Sequence, residues 1–446
     1  MAATCDTGDI EAMQDIFAED FQEASYWWDL APRPRLDESA PPDSTDVVVI
    51  GSGNVGLSAA LTLARGGRDV LVLDAEAAGH GASTRNSGYL GRTVWFKYGD
   101  MVRRIGREAA GEIAREAATA HDFAASLIRD EQIACFYKNT GRLITAPSRK
   151  VYEKLERDLA MMKADGVPVE ADMVPPERLN EEVASDLYHG GQVLHGNGLI
   201  HAGLYHQGLL DRARAQGATV IGYCPVTGVE RQRRGFVVST PKGKVAARDV
   251  MVATNGYTPK ALPWHRRRVV PVQAFNVVTE AIDPVLMKKV LPRGRPMIEN
   301  RNSPLWLRPT EDGKRLLFGG TTGEGNTSIL VKARQLHGEL LRVVPGLEGT
   351  KLTHCWSGQV AFPFDFLPHN GFADGIHYAM GWCASGVPMG TWLGHKTAQR
   401  ILGDSDARTV LTDRPFRTIP FYGGNPWFLP LITAWMRRAD RKLTRD

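Results

Sequence analysis

Asp46-Val47-Val48-Val49-Ile50-Gly51-Ser52-Gly53-Asn54-Val55-Gly56, answered by an acid at Asp74, is the stretch on which the fold turns. The continuous apolar run 46–50 predicts a strand buried on both faces. A glycine-rich turn follows, then a helix from about Val55 to Arg65, closed by Gly66-Gly67. A second buried strand, Val70–Leu73, ends on Asp74, 18 residues beyond Gly56. A GxGxxG motif alone is a weak signal. Set between a strand and a helix, with an acid at this distance, it predicts a dinucleotide site. Gly51 permits the tight turn, Gly53 lets backbone N–H groups approach a pyrophosphate, and Gly56 lets helix and strand pack closely. Asn54 and Val55 open the helix, whose positive end faces the phosphates. Asp74, with Ala75 beside it, would hold the adenosine ribose. A carboxylate there repels the 2′-phosphate of NADP.

Beyond this unit the chain alternates. Helical segments fill much of 97–165, with a strand at Gly141–Ala146, a helix at Gly203–Gln216 and a strand at Thr219–Gly222. Amphipathic strands between 225 and 248 suggest a meander, and Asp249–Ala253 is again a buried run. Residues 268–330 alternate apolar and polar as an antiparallel sheet does. A strand at 375–381 and a helix at about Gly386–Leu402 close the pattern. Buried parallel-type strands interrupted by antiparallel material predict an α/β chain with interleaved domains. A Rossmann-type dinucleotide-binding domain is expected from 46–96, 190–265 and 350–415. An α+β substrate domain on an antiparallel or mixed sheet is expected from 97–189 and 266–349. Residues 1–45 read as an irregular prelude, with an amphipathic piece at Ile10–Phe21 and a Pro-rich linker. Tyr26-Trp27-Trp28 are expected to pack on the domain surface, with an active-site lid as the sharper alternative. Residues 416–446 read as a C-terminal apolar and basic helix.

FAD is preferred over NAD because of Gly79-His80-Gly81-Ala82-Ser83-Thr84-Arg85-Asn86-Ser87-Gly88, a long small-residue loop leaving the ribose acid. Such a loop suits a cofactor that extends to a flavin ring. A single GxGxxG implies no separate NAD(P)H domain, so electrons are expected directly from the substrate. The 446 residues carry a net charge of only +4, which leaves no footprint for nucleic acid. Five scattered cysteines without CxxC, and histidines without HExxH, predict no metal, disulfide framework or redox dithiol. No signal-peptide pattern opens the chain and no apolar run reaches the ~20 residues of a spanning helix, so cytoplasm is the expectation.

Four stretches carry a resemblance: SYWWDLAP at 25–32, GHGASTRNSG at 79–88, VATNGYTP at 252–259 and LRPTEDGKRLLFGG at 307–320, together with GWCASGVPMGTWLG at 381–394. The chain resembles the D-amino-acid-oxidase-like FAD-dependent oxidoreductases, and within them the γ-glutamylputrescine oxidoreductase branch. The match spans all but about the first 20 residues. The resemblance implies flavin-loop contacts from Ser83, Thr84, Arg85, Asn86 and Ser87, and an adenine contact at Val226. It further implies a pyrophosphate contact at Thr254-Asn255-Gly256 and a helix opening at Gly386, Val387, Met389 and Gly390 aimed at the flavin. The implied reaction is oxidation of a C–N bond in an amine or N-substituted amino acid, with the imine then hydrolysed and electrons passing to oxygen or another acceptor. Arg308 is a candidate carboxylate clamp and His201 a candidate polar contact. Ser385 stands where relatives commonly carry His, which leaves that role open. The stretch after Trp356-Ser357-Gly358 lacks the Arg common in amino-acid oxidases, so a longer amine is preferred over a simple α-amino acid.

Phe362, Phe364 and Phe366 could line a pocket, though strand core is the commoner meaning of such a stripe. Cys355 is read as a buried thiol rather than as a flavin attachment point, so FAD is expected to be non-covalent. Leu317 or a neighbour stands where related oxidases place an oxygen-reactive Lys, which leaves oxidase and dehydrogenase both open. The alternative is a membrane-associated, quinone-linked dehydrogenase. Its cue is FLPLITAWM before Arg437, Arg438, Arg441, Lys442 and Arg445, although packing of that helix on the protein is preferred.

Overall fold

The computed structural model describes residues 16–35, 38–321 and 328–444. Two sheets organise the chain, and the α/β class with a parallel nucleotide-type sheet beside a mixed one stands. Ser44–Ile50 runs parallel to Val70–Leu73 on one side and to Gly243–Val252 on the other, and Val70–Leu73 runs parallel to Thr219–Ile221. Val47, Val48 and Val49 are fully buried because helices cover one face and the meander covers the other. The expected buried run at 249–253 is not a separate strand. It is the far half of Gly243–Val252, whose near half pairs antiparallel with Phe236–Thr240. Ile376–Met380 joins parallel to its end, with Met251 opposite His377.

The second sheet has nine strands, in the order Phe17–Gln22, Leu352–Pro363, Val269–Thr279, Leu316–Gly320, Leu305–Pro309, Met297–Glu299, Arg142–Thr145, Gly191–Leu194, Ala171–Val174. Three segments lie away from their expected halves. Leu352–Pro363 belongs to this sheet, paired along its length with Val269–Thr279, although 350–415 was assigned to the nucleotide half. Gly191–Leu194 also lies in it. Conversely, the helix Arg107–Asp130 packs with the nucleotide half. Its buried Ala110, Ile113, Ala117 and Ala124 share one apolar cluster with Val47, Val49 and Leu57. Its face is built of alanines, which let neighbouring helices approach closely.

The prelude is not irregular throughout. Phe17–Gln22 is an edge strand parallel to Leu352–Pro363, and Phe17 and Phe21 pack against the second core. Residues 10–15 of the expected amphipathic piece lie outside the described residues. The C-terminal helix, Leu429–Leu443, packs on the protein as expected, through Leu443 and Asp440, but with only part of its apolar surface. Its buried positions are Thr433 and Asp440, while Leu431 and Trp435 are 74% and 64% exposed. Among the described residues no helix is long and apolar enough to cross a membrane.

Burial also sets an acid limit. His201, His206, His265, His377 and His395 are pushed down to about 4, burial being the largest cause for each. Unfolded imidazoles, near 6.5, take up protons that the folded ones refuse, so stability is lost as pH falls from about 6.5 towards 4. Melting temperature measured across that range is expected to drop steeply. A flat profile would contradict the burial.

Candidate active site

The glycine turn has the shape the motif demands. Gly51 has φ +105°, and a Cβ there would sit 3.1 Å from the Ala253 carbonyl oxygen. A Cβ on Gly56 would overlap the Gly51 carbonyl oxygen. The helix Asn54–Arg65 therefore starts hard against the turn, with Gly53 extended as its N-cap. The Asn54 N–H donates to Ser83 Oγ (2.9 Å), tying the flavin loop to the first helical turn, and Asn54 Oδ1 is buried without a partner. His206, fully buried, bonds the Ser52 carbonyl through Nε2 (2.8 Å) and holds the turn from behind.

Asp74 Oδ2 accepts from the Ser52 N–H (2.8 Å) and Ser52 Oγ (2.6 Å), and Oδ1 accepts from the Glu76 N–H (3.1 Å). Burial raises the pKa of this carboxyl, and the Ser52 hydroxyl is the first of the bonds that oppose it. A carboxylate offers about four acceptor sites, so one remains for a ribose hydroxyl. Ala75 is exposed, and the Cys224 N–H bonds the Asp74 carbonyl (2.8 Å), which brings the turn holding buried Val226 to the same strand end. Thr254-Asn255-Gly256 lies beside Gly51, where Asn255 Oδ1 accepts from the Gly381 N–H (2.9 Å).

The flavin loop is stapled from four directions. Ser25 Oγ donates to the Thr84 carbonyl (2.8 Å), Trp28 Nε1 to Thr84 Oγ1 (2.9 Å) and Trp27 Nε1 to the Asn86 carbonyl (2.7 Å). Trp356 Nε1 and Asn276 Nδ2 both reach the Arg85 carbonyl. Ser87 Oγ donates to Asn276 Oδ1, which also accepts from Trp306 Nε1. The Arg85 guanidinium lies over the Trp28 ring (4.7 Å) and donates to the His80 and Ser357 carbonyls. The aromatic run at 26–28 is thus neither a lid nor mere surface packing. It supplies donors to the Asn86 carbonyl and the Thr84 hydroxyl of this small-residue loop. Asn276 and His206 escaped the sequence reading because their partners lie far away in the chain. For Trp27→Phe, which strands the Asn86 oxygen, a cost of about 1–3 kcal/mol and FAD binding weaker by about tenfold are expected. Equilibrium dialysis of the flavin checks it, and unchanged affinity would remove the staple from the account.

The substrate candidates separate. Arg308 is 1% exposed and all three of its nitrogens are engaged within the protein. Nη1 bonds the Ser87 (3.0 Å) and Ile200 (2.9 Å) carbonyls, Nε the Pro309 carbonyl, and Nη2 pairs with Glu311 (3.0 Å). The expected carboxylate clamp is therefore a buried staple beneath the flavin loop. His201 caps the helix Ala202–Ala215, with Nδ1 accepting from the Leu204 N–H (3.1 Å), and lies edge-on to Trp27. Being 1% exposed and neutral, it offers no face to a substrate, contrary to expectation.

Ser385 is placed otherwise. It opens the helix Gly386–Leu402, whose buried Val387, Met389 and Gly390 form the first turn, with Gly390 against Val55. Its hydroxyl donates to the Thr93 carbonyl (3.0 Å) and lines a cavity of about 190 Å³. Trp95, Phe96, Leu155 and Ile298 supply apolar wall, and Lys97, Arg142, Asp158 and Glu170 supply charge together with Arg92 and Arg301, which pair with Asp122 and Glu299. Arg142 gives a hydrogen bond to Thr93 Oγ1 (3.1 Å), its Nε is buried without a partner, and no carboxylate acts on its charge. Burial, and next the neighbouring Arg142, push Lys97 down to about 8. Neither cation was visible in the sequence, where each is one base among 54. Phe362 and Phe366 do not line this cavity. They pack from outside on Trp95 (5.6 Å) and Phe96 (6.1 Å), while Phe364 packs on Tyr422 and Phe428.

A glycine turn that admits no Cβ, an orphaned Asn54 oxygen at the helix start and a spare ribose-acid site fit a bound dinucleotide. Comparison with known proteins agrees. Residues 46–400 match the model of the FAD-dependent oxidoreductase family DAO, and the chain belongs to that family. It is 31% identical over 427 residues to γ-glutamylputrescine oxidoreductase of Escherichia coli, covering 92% of this chain and 96% of that one. Glycine oxidase of Geobacillus kaustophilus is 24% identical over 333 residues, covering 73% and 84%. The crystal structure of that glycine oxidase superposes with a TM-score of 0.69 at 20% identity, covering 86% of this chain and all of that chain, and shows the shared fold. The protein is an FAD-dependent oxidoreductase. Cys355 is fully buried, with its thiol directed to the Ile329 carbonyl in the second core, whereas the adjacent Trp356 bonds the flavin loop. Alternation along the strand thus turns the Cys355 thiol away from the side on which Trp356 meets Arg85, which does not fit Cys355 as a point of covalent flavin attachment.

Proposed function

We propose that the chain oxidises the C–N bond of an amine that carries a carboxylate at its far end. The observation that carries this reading is the pair Lys97 and Arg142, two cations facing one cavity, with no carboxylate neighbour acting on Arg142. FAD, when bound, supplies the acceptor for the hydride leaving the carbon next to nitrogen. Everything else falls to side chains. The apolar stem of Trp95 and Phe96 excludes water and favours the neutral amine, since burial lowers an amine pKa. Ser385 Oγ, which donates a hydrogen bond to the Thr93 carbonyl, has lone pairs left to accept from the amine N–H. The positive end of the Gly386–Leu402 helix would favour negative charge on a flavin held against it. At the other end, Arg142 and Lys97 suit a carboxylate, while Asp158 and Glu170 suit an ammonium group. A γ-glutamylated amine has both, which agrees with the name of the relative from E. coli.

The imine is released to water, and the electrons pass on to oxygen or another acceptor. The cytoplasm is the compartment we assign, supported by four buried free cysteines among the described residues. The test is steady-state turnover of paired substrates. Arg142→Met is expected to raise KM about 30-fold or more for carboxylate-bearing amines, the loss of a charge-assisted bond of about 2 kcal/mol, while leaving plain diamines unchanged. KM for the acidic substrates should also climb as pH passes about 8 and Lys97 discharges. Equal effects on both substrate classes would remove the charge-recognition reading.

A further inference from the structure

The Leu429–Leu443 helix divides its apolar residues between an inner and an outer face. Asp440, 7% exposed, accepts from the Asn302 N–H (2.9 Å), Asn302 Nδ2 (2.8 Å) and the Ser303 N–H (2.9 Å), and Thr433 is buried on the same side. Leu431, Trp435, Arg438 and Lys442 follow at spacings of four, three and four, so they share the opposite face. Ile432, 39% exposed, flanks them, and Trp427, 64% exposed, stands just before the first turn. A helix that merely packs on its protein turns its apolar stripe inward. This one is held by a carboxylate and by Leu443, which packs on Ala146, Val151 and Leu155, and it still presents Leu431, Ile432 and Trp435 to solvent.

We infer that this outer face docks on an anionic lipid bilayer. Charge selects the occupant. The helix carries Arg437, Arg438, Arg441 and Lys442 against a single acid, Asp440, which is buried and committed to the Asn302–Ser303 backbone. That arrangement places a basic band immediately after a tryptophan and leucine band. An interfacial helix is built this way: apolar side chains enter the headgroup boundary and cations meet lipid phosphates. Fifteen residues span only about 22 Å as a helix, so it lies in the surface plane and does not cross. The anchor loop is flanked by Arg301 and Pro304, two residues of the cavity wall, so docking brings that wall to the bilayer.

The holoenzyme, mixed with vesicles of phosphatidylcholine alone or with about one third phosphatidylglycerol, tests this by flotation. Binding is expected to the phosphatidylglycerol vesicles, at least about tenfold weaker to phosphatidylcholine, and reduced by salt. Tryptophan emission should shift to the blue on binding. The exposed double variants Leu431→Gln/Trp435→Gln and Arg438→Gln/Lys442→Gln should each lose about tenfold or more in binding while keeping flavin content and turnover. Equal binding to both vesicle types, or wild-type binding by either variant, would overturn the inference. So would a dimer in solution that Leu431→Gln/Trp435→Gln dissociates, since the face would then join two copies. Exposure of Trp435 to quencher that rises when residues 1–15 are removed would likewise overturn it, by assigning the face to the chain's own N-terminal segment.

Discussion

Gly56→Ala is expected to give a protein that folds poorly and is colourless, with FAD affinity reduced by about 100-fold or more. The added methyl would occupy the space of the Gly51 carbonyl oxygen, and the backbone there has no flexible side chain to yield. Either the helix start must lift away or the turn must open. Lifting the helix uncovers Val55, which packs against Gly390 of the helix that opens at Ser385. Opening the turn displaces Ser52, and with it two of the three hydrogen bonds to Asp74. Overpacking of this kind costs about 1–3 kcal/mol, and here it falls on the backbone amides that would meet the pyrophosphate. Flavin absorbance per mole of purified protein, with and without added FAD, measures the effect. A yellow Gly56→Ala protein of wild-type affinity would mean that the cofactor does not rest on this turn.

Arg308→Met should be nearly as severe, for a different reason. Removing the guanidinium leaves Glu311 as a largely buried carboxylate without its partner, and it strips donors from the Ser87, Ile200 and Pro309 carbonyls. Breaking a buried pair from one side costs about 3–5 kcal/mol. The loop Ser83–Ser87 should loosen, so flavin loss should accompany the fall in melting temperature. The double variant Arg308→Met/Glu311→Gln removes the stranded charge and should recover part of the stability without restoring the loop. Had Arg308 been a substrate clamp, the single variant would keep its flavin and its melting temperature and would show only a raised KM. The two outcomes are readily separated by calorimetry together with flavin content.

What was legible beforehand was what the chain encodes locally. A buried strand, a glycine turn and an acid at fixed spacing specify the nucleotide-type unit within 29 residues, Asp46 to Asp74. The helix at Gly386 was readable from its glycine-rich start. Less legible was anything decided by pairing across the chain. Arg308 sits in a strand whose alternation offers two faces, and only the arrival of Ser87 and Ile200 on one of them commits its donors. Leu352–Pro363 reads as a strand in either half, and its assignment depends on Val269–Thr279 lying alongside. The Leu429–Leu443 helix has an apolar stripe in sequence, but which side meets the protein is set by Asn302 and Ser303. Lys97 and Arg142 are ordinary basic residues until folding brings them to one cavity. The family resemblance pointed to the loop Gly79–Gly88 as the cofactor's path, while the chemistry of the far end of the substrate depends on contacts that no short motif encodes.

The most direct test of the account is anaerobic titration of the purified yellow enzyme with one γ-glutamylated diamine and with the corresponding free diamine. The account predicts stoichiometric bleaching of the flavin by the γ-glutamylated compound at concentrations where the free diamine leaves the colour unchanged. It also predicts that this preference disappears in Arg142→Met. Bleaching by the free diamine alone, or by neither compound, would contradict it.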